Sequence, residues 1–155
     1  MKSEQPILFM MVGLPGSGKT TKAKELETEY SALRLTPDEL ILLQYGNNLD
    51  RPQRDAAREP AEALQWQEAK KALAKGTNVV LDWGFWSREE RNRYRQEAES
   101  LGAIVKIIFL DIPVEKLWTR ISQRPESLQG TLHITKAELE QWSEMFEPPT
   151  EEELK

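Results

Sequence analysis

A short apolar segment that leads directly into a glycine-rich turn constrains this chain more than any other feature. Residues 6–12 read Pro-Ile-Leu-Phe-Met-Met-Val, a continuous apolar run typical of a strand buried on both faces of a parallel sheet. The next residues are Gly13-Leu-Pro-Gly-Ser-Gly-Lys-Thr20, and a segment rich in Lys and Glu follows them. This order predicts a sharp turn between a buried strand and a helix.

The turn matches the pattern G-x-x-x-x-G-K-[ST] and stands in the strand-to-helix context that the pattern requires. Glycines let successive backbone N–H groups point inward at phosphate oxygens, and a helix beginning at Lys19 adds the positive end of its dipole. We expect Lys19 to reach the β- and γ-phosphates of ATP and the Thr20 hydroxyl to ligate Mg²⁺. The predicted nucleotide-binding residues are Gly13, Pro15, Gly16, Ser17, Gly18, Lys19, Thr20 and Thr21.

Strand and helix signals alternate along the rest of the chain. Such alternation predicts βαβ units and an α/β fold, a parallel sheet of four or five strands with helices on both faces. We expect residues 1–155 to form one domain, with a helical lid at about 120–135 and a polar tail at 147–155. The predicted strands are 6–12, 33–36, 78–82 and 104–110, and the predicted helices are 19–33, 37–45, 60–75, 87–101, 114–123 and 135–146, with loops at 46–55 and 124–132.

Composition excludes several classes of protein. The net charge of −5 argues against a general nucleic-acid binder. The absence of Cys excludes disulfides, thiol nucleophiles and Cys-rich zinc sites, and a single His excludes a His-cluster metal site. An acidic residue near the start and a short first apolar run argue against a signal peptide or a membrane span, so we expect a cytoplasmic protein.

Three aspartates follow predicted strands, where sites form in open α/β sheets. Asp38 follows the second strand and could take the proton of an acceptor hydroxyl, or it could complement a helix N-terminus. Asp82 ends the apolar run Val-Val-Leu-Asp, a Walker-B arrangement that predicts a carboxylate near Mg²⁺. Asp111 ends the next strand in the same way, but a helix with Pro113 near its first turn follows it, which favours capping.

Two groups of arginines could bind anions. Arg120 and Arg124 border the predicted lid, from which an arginine could close over the phosphates; both could equally complement a helix C-terminus. Arg51, Arg54 and Arg58 lie in and after the predicted 46–55 loop, where they could hold an anionic acceptor or form an ordinary polar surface.

Three aromatic residues, Trp83, Phe85 and Trp86, directly follow Asp82. Aromatic side chains at the carboxyl end of a strand could stack on a base or on an aromatic acceptor. Packing of the loop into the core is the alternative, and we favour it slightly.

With these residues together, the chain resembles the small P-loop kinases of the polynucleotide kinase and zeta-toxin type, from about Ile7 to Pro149. The resemblance implies a three-layer P-loop NTPase fold, with Asp38 at the position of the family's general base. It also implies that Arg124, with Arg120, acts on the transferring phosphate, and that Asp82 serves either the metal or the acceptor side.

The expected activity is transfer of the γ-phosphate of Mg-ATP to a hydroxyl of a small-molecule or nucleotide-like acceptor. Two alternatives stay open: a polynucleotide 5′-hydroxyl kinase, and an ATPase or nucleotide-dependent switch without an acceptor. Polynucleotide kinases of this group carry an arginine three residues after the base aspartate, where this chain has Ile41. That difference and the acidic balance disfavour a nucleic-acid acceptor. No guanine-specifying N-K-x-D stretch stands out, which favours ATP over GTP.

Overall fold

A four-stranded parallel sheet organises residues 5–46, 48–123 and 134–154, the part of the chain that the computed structural model describes. Its strands are β1 (Ile7–Val12), β2 (Leu33–Leu35), β3 (Val79–Gly84) and β4 (Ile104–Phe109), in the order β2-β3-β1-β4. The helices are α1 (Lys19–Glu29), α2 (Pro37–Tyr45), α3 (Arg51–Ala74), α4 (Arg88–Ser100), α5 (Val114–Ser122) and α6 (Lys136–Met145). The predicted α/β parallel sheet is confirmed.

The central strand β1 is buried on both faces because side chains alternate along a strand. Leu8, Met10 and Val12 pack in a core that contains residues of α3 and α4. Phe9 and Met11 pack on the opposite face against α1. This accounts for the continuous apolar run in the sequence: both faces of the strand meet apolar helices.

The largest difference between the predicted and the observed boundaries lies in helix α3. The structure has one helix from Arg51, where sequence reasoning predicts a loop at 46–55 and a helix at 60–75. Asp50 caps it: its Oδ1 accepts from the Gln53 N–H at 2.8 Å, and the Gln53 Oε1 accepts from the Asp50 N–H at 3.0 Å. This capping box starts the helix, and Pro60 lies inside it instead of at its beginning.

Two smaller predictions are also wrong. Helix α1 ends at Glu29 instead of residue 33, because Ser31 adopts a left-handed φ of 50° that breaks the helix. Asp111 does not cap α5, whose N-cap is Pro113 and which has no side-chain cap. The other described elements lie within about two residues of their predicted ends. No helix in the described ranges has the length and apolar character needed to cross a membrane.

The polar tail packs against the loop after β3. Arg91 of α4 is fully buried and donates to the Glu153 carboxylate at 2.7 Å and to the Phe85 carbonyl at 2.9 Å. The Glu147 N–H donates to the carbonyl of Trp86 at 2.8 Å. The tail therefore ties down the loop that continues from the carboxyl end of β3.

Candidate active site

The turn between β1 and α1, residues 13–20, is called the phosphate loop below. Gly16 and Gly18 have left-handed φ angles of 85° and 94°, a backbone conformation that glycine adopts without strain. Helix α1 begins directly after Gly18 with no side-chain cap and no acidic residue in its first turn. Its first N–H groups and the positive end of its dipole are thus left for an anion. The Lys19 Nζ donates to the Leu14 carbonyl at 3.1 Å across the loop.

Ser17 holds the one buried side-chain polar atom without a hydrogen-bond partner among the described residues, its Oγ. Buried polar groups normally have a hydrogen-bond partner. An unpartnered hydroxyl inside the phosphate loop is therefore consistent with a ligand that supplies this partner when it binds.

Helix α5 packs directly on the phosphate loop. A Cβ built on Gly16 would lie 2.9 Å from Cγ1 of Ile121, so only glycine allows this approach. The Arg120 guanidinium donates to the Gly16 carbonyl at 3.2 Å. The structure thus places Arg120 at the loop. Arg124 and most of the predicted lid lie outside the described residues.

Asp82 and Thr20 meet at the carboxyl end of β3. The Thr20 hydroxyl donates to Asp82 Oδ2 at 2.8 Å, and Asp82 is 5% exposed. The register between β1 and β3 shifts here: Met10 pairs with Leu81, but Val12 pairs with Gly84. The bulged strand carries Asp82 to the phosphate loop, whose Gly13 N–H donates to the Gly84 carbonyl at 3.1 Å.

The donor set suits Mg²⁺ bound together with nucleotide phosphates. Thr20 and Asp82 offer a hydroxyl and a carboxylate oxygen side by side, the hard oxygen ligands that Mg²⁺ prefers. Within the described ranges, no group of three or more His, Cys, Asp or Glu side chains could form a separate metal cage. Mg²⁺ typically binds through one or two protein groups and substrate phosphates instead of an all-protein cage.

A cleft of about 750 Å³ extends from the phosphate loop to α2 and α3. Lys19, Thr20 and Asp82 line one side, and Asp38 and Ile41 of α2 line the other. The structure therefore brings eight of the predicted site residues to one cavity: Pro15, Gly16, Gly18, Lys19, Thr20, Thr21, Asp38 and Asp82. Helix α3 contributes Arg51, Arg54, Asp55, Arg58 and Glu62, and the segment after β3 contributes Trp83, Gly84, Phe85, Trp86, Ser87 and Glu90.

Arg58 connects the acceptor-side carboxylate to the sheet. Its guanidinium donates to Asp38 Oδ1 at 3.3 Å, to the Trp83 carbonyl at 2.7 Å and to Glu62 Oε2 at 2.9 Å. Sequence reasoning left Arg58 between two interpretations and missed Glu62. The signal was the i,i+4 spacing of the pair, which is readable only once 51–74 is known to be a helix.

The two acids in the first turn of α2 have different partners. Glu39 receives two hydrogen bonds from Arg34, at 2.6 and 3.2 Å, and this pairing lowers the pKa of its carboxyl. Asp38 instead lines the cleft and meets Arg58. Both acids also lie where the helix dipole favours them.

Two further carboxyls line the cleft, Glu62 and Glu90. Burial raises the pKa of Glu62, although the charge and hydrogen bond of Arg58 oppose it. Burial also raises the pKa of Glu90, and the neighbouring charge of Glu62 adds to the effect. Desolvated carboxyls in a cleft are a recurring feature of functional sites.

The aromatic residues after Asp82 all border the cleft, and two of them also belong to the main core. Trp83 and Phe85 are 5% and 2% exposed and pack in the main core with Tyr94, as the favoured interpretation expected. Trp86 is half-buried and lies 5.8 Å from Trp142 of α6, ring centre to ring centre, at the edge of the cleft. The sequence gives no sign of this pair, because Trp86 and Trp142 lie far apart in sequence and in different elements.

Comparison with known proteins supports the same interpretation of the fold. A family model described as an AAA domain, AAA_33, matches residues 8–149. Among curated proteins, none matches the chain.

Solved structures share the architecture at low identity. An inferred kinase from Chloroflexus aurantiacus j-10-fl has a TM-score of 0.75 and 20% identity, with 95% of this chain and 83% of that one covered. A chain of the Pnkp1/Rnl/Hen1 RNA repair complex has a TM-score of 0.74 and 26% identity over 93% of this chain, which spans 45% of that one. Chaetomium thermophilum Kti12 in complex with ADP-AlF3 has a TM-score of 0.68 and 22% identity, with 92% and 81% covered. These likenesses show the P-loop NTPase fold.

Proposed function

The chain belongs to the AAA_33 family of AAA domains, and on that premise we propose that it transfers the γ-phosphate of Mg-ATP to a hydroxyl of a small-molecule or nucleotide-like acceptor. One observation carries the proposal: two carboxylates line the same cleft in different settings. Asp82 is bonded to Thr20 of the phosphate loop, and Asp38 lies on α2 beside Arg58. A hydrolase or switch needs the first of these settings, whereas a kinase needs both.

The phosphate loop holds the nucleotide in this proposal. Its backbone N–H groups and the uncapped start of α1 bind the phosphates, and Lys19 leaves the Leu14 carbonyl to reach the β- and γ-phosphates. Thr20 and Asp82 would hold Mg²⁺, which when bound neutralises charge on the β- and γ-phosphates. Arg120 sits at the loop through Gly16, and with Arg124 it supplies positive charge where the transferring group becomes negative.

Asp38 acts on the acceptor side as the general base. Its carboxylate accepts the proton of the acceptor hydroxyl while the hydroxyl oxygen forms a bond to the γ-phosphorus. The bond between that phosphorus and the bridging oxygen of the β-phosphate breaks, and ADP leaves with that oxygen. Arg58 is a positioning residue: its contacts with the Trp83 carbonyl and Glu62 leave one guanidinium edge for Asp38.

A polynucleotide 5′-hydroxyl kinase is the second candidate, favoured by the likeness to a chain of an RNA repair complex. Two features count against it. The overall charge is −5, and Ile41, which lies one helical turn after Asp38, is 1% exposed and lines the cleft with an apolar surface. A long nucleic-acid acceptor would extend its phosphate backbone beyond the cleft, over the surface of a chain whose net charge is negative.

The test is transfer of labelled phosphate from γ-labelled ATP to a library of small hydroxyl compounds and to RNA and DNA with 5′-hydroxyl ends. The proposal expects stoichiometric labelling of a small acceptor by the wild type and none by Lys19→Ala. Labelling confined to 5′ ends would establish the second candidate. Slow release of phosphate with no labelled acceptor would instead identify an ATPase or switch.

A further inference from the structure

Arg54 of α3 is a largely buried arginine, 7% exposed, that lines the cleft. Among the residues that the structure describes, none accepts a hydrogen bond from its guanidinium or forms an ion pair with it. Among the described residues, the only fully buried side-chain polar atom without a partner is Ser17 Oγ. The Arg54 nitrogens therefore open onto the cleft, where an anion from outside the chain can reach them.

The neighbouring arginines of α3 do not share this property. Arg51 donates to Glu138 at 3.2 Å and lies over the Trp142 ring. Arg58 is occupied by Asp38, Glu62 and a backbone carbonyl. Arg54 is thus the α3 arginine whose guanidinium, among the described residues, is left for a ligand.

Helix geometry places Arg54 close to the proposed base. Arg54 and Arg58 are four residues apart, which is about one turn and about 6 Å along the axis of α3. Because Arg58 contacts Asp38, Arg54 stands one helical turn along α3 from the residue that contacts the proposed base, and Arg54 and Asp38 line the same cleft.

The carboxylates around Arg54 do not neutralise it. Asp55 is its neighbour in sequence, but it is exposed and makes no pair with Arg54 among the described residues. Glu62 pairs with Arg58, and Glu90 of α4 lines the same cleft but forms no ion pair with Arg54 among the described residues. The local field is mixed, and a negative group of the ligand is the partner that Arg54 lacks.

We propose that Arg54 forms an anion subsite and that the acceptor is a hydroxyl compound bearing a phosphate or carboxylate group. This rests on the proposed kinase function, because it assigns the acceptor class of the same cleft. A planar guanidinium matches the oxygens of either group in a two-pronged hydrogen bond. The γ-phosphate of ATP itself is the other source of such an anion, and the two sources predict different losses.

The experiment uses the full chain saturated with a non-hydrolysable Mg-ATP analogue, so that the phosphate loop is filled. Inorganic phosphate, and separately acetate, is then titrated while the fluorescence of the cleft tryptophans is followed, since Trp86 and Trp142 line the cavity. The variants are Arg54→Gln and Arg54→Lys. Lys71→Gln removes the same charge from an exposed position on the same helix and is the matched control.

We expect saturable binding of one of the two anions to the wild type and to Lys71→Gln. Arg54→Gln should weaken it by about tenfold or more, because a hydrogen bond to a charged group is lost. Arg54→Lys keeps the charge but not the planar guanidinium, so its affinity for the anion should lie between those of the wild type and Arg54→Gln. This variant also decides the case if Arg54→Gln does not fold.

Three results would overturn the subsite: no saturable anion binding to the wild type, equal binding to Arg54→Gln, or an Arg54→Gln loss confined to the ATP analogue. The last would assign Arg54 to the γ-phosphate. Failure of the proposed function is seen separately, as a wild type that does not bind the ATP analogue. In that case the anion titration without nucleotide, in the Lys19→Ala background, still reports on Arg54.

Discussion

Thr20 and Asp82 are 62 residues apart in sequence, yet the Thr20 hydroxyl donates to the Asp82 carboxylate at 2.8 Å. The contact joins the start of α1 to the end of β3 at the carboxyl edge of the sheet, where ligands of open α/β folds bind. It also bears on the two roles that the sequence left open for Asp82. Its bond to the phosphate loop supports a place on the metal side in the proposed function.

The first prediction concerns magnesium. Asp82→Asn keeps a group that can accept from Thr20 but removes the negative charge, so the benefit of Mg²⁺ to nucleotide binding should fall about ten- to a hundredfold. The measurement is the affinity for a non-hydrolysable ATP analogue with and without Mg²⁺. Asp111→Asn makes the same change at an exposed carboxylate outside the cleft and should leave both affinities unchanged. An unaltered magnesium effect in Asp82→Asn would remove Asp82 from the metal side.

The second prediction concerns the approach of α5 to the phosphate loop. Gly16 and Gly76 have nearly the same φ, 85° and 86°, but an added Cβ on Gly16 meets Ile121 at 2.9 Å and one on Gly76 meets nothing within 4 Å. Both alanine variants should lose about 1–2 kcal/mol of unfolding free energy from backbone strain. Gly16→Ala should lose more and also bind nucleotide more weakly. Equal effects of the two variants in urea unfolding and nucleotide titration would contradict the close packing.

The third prediction concerns the buried pair of α4 and the tail. Glu153→Ala leaves the fully buried Arg91 without its carboxylate and should lower the free energy of unfolding by about 3 kcal/mol. Glu152→Ala, at an exposed neighbour, should change it little. Replacing both members, as Arg91→Met with Glu153→Leu, should recover part of the loss, because the unpaired buried charge is gone.

The same pair predicts a dependence of stability on pH. Burial alone would raise the pKa of Glu153, but hydrogen bonds from Arg91 and from the backbone of Thr150 hold it below the ordinary value of 4.5. As the pH falls, the unfolded chain therefore takes up this proton first. The stabilisation is present above pH 4.5 and is lost as the pH falls through the lower folded value. Urea unfolding across this acidic range should show a component that Glu153→Ala lacks; identical pH profiles would contradict it.

The fourth prediction concerns Arg58 as a positioning residue. Arg58→Met frees Asp38 from its anchor, so kcat for phosphoryl transfer should fall about tenfold or more while the affinity for the ATP analogue stays the same. Arg58→Lys should recover little, since one ammonium cannot make all three contacts. A change in nucleotide affinity equal to the change in kcat would indicate a general loss of structure instead.

The phosphate loop and Asp82 could be predicted because their signals are local. The motif of residues 13–20 fixes a turn between a strand and a helix, and Asp82 directly follows an apolar run. The carboxyl ends of neighbouring parallel strands lie on one edge, so the proximity of the two follows from the fold class.

The sequence left the arginines of α3 between an anion site and an ordinary polar surface, because the start of this helix was not predicted. Pro60 suggested a helix start, and the earlier start at Arg51 depended on the reciprocal bonds of Asp50 and Gln53. With residues 46–55 taken as a loop, the burial of Arg54 was invisible. Arg91 and Glu153 are 62 residues apart, and no periodicity or spacing in the sequence predicts a contact over that distance.

Transfer by Asp38→Asn tests the proposed mechanism most directly. Labelled phosphate is followed from γ-labelled ATP to the acceptor that the library screen identifies, alongside binding of the ATP analogue and the Asp111→Asn control. Asp38→Asn should bind the analogue like the wild type and lose about a hundredfold or more in transfer rate, because the acceptor proton has no base. Full transfer by Asp38→Asn would contradict the assignment of Asp38 as the base.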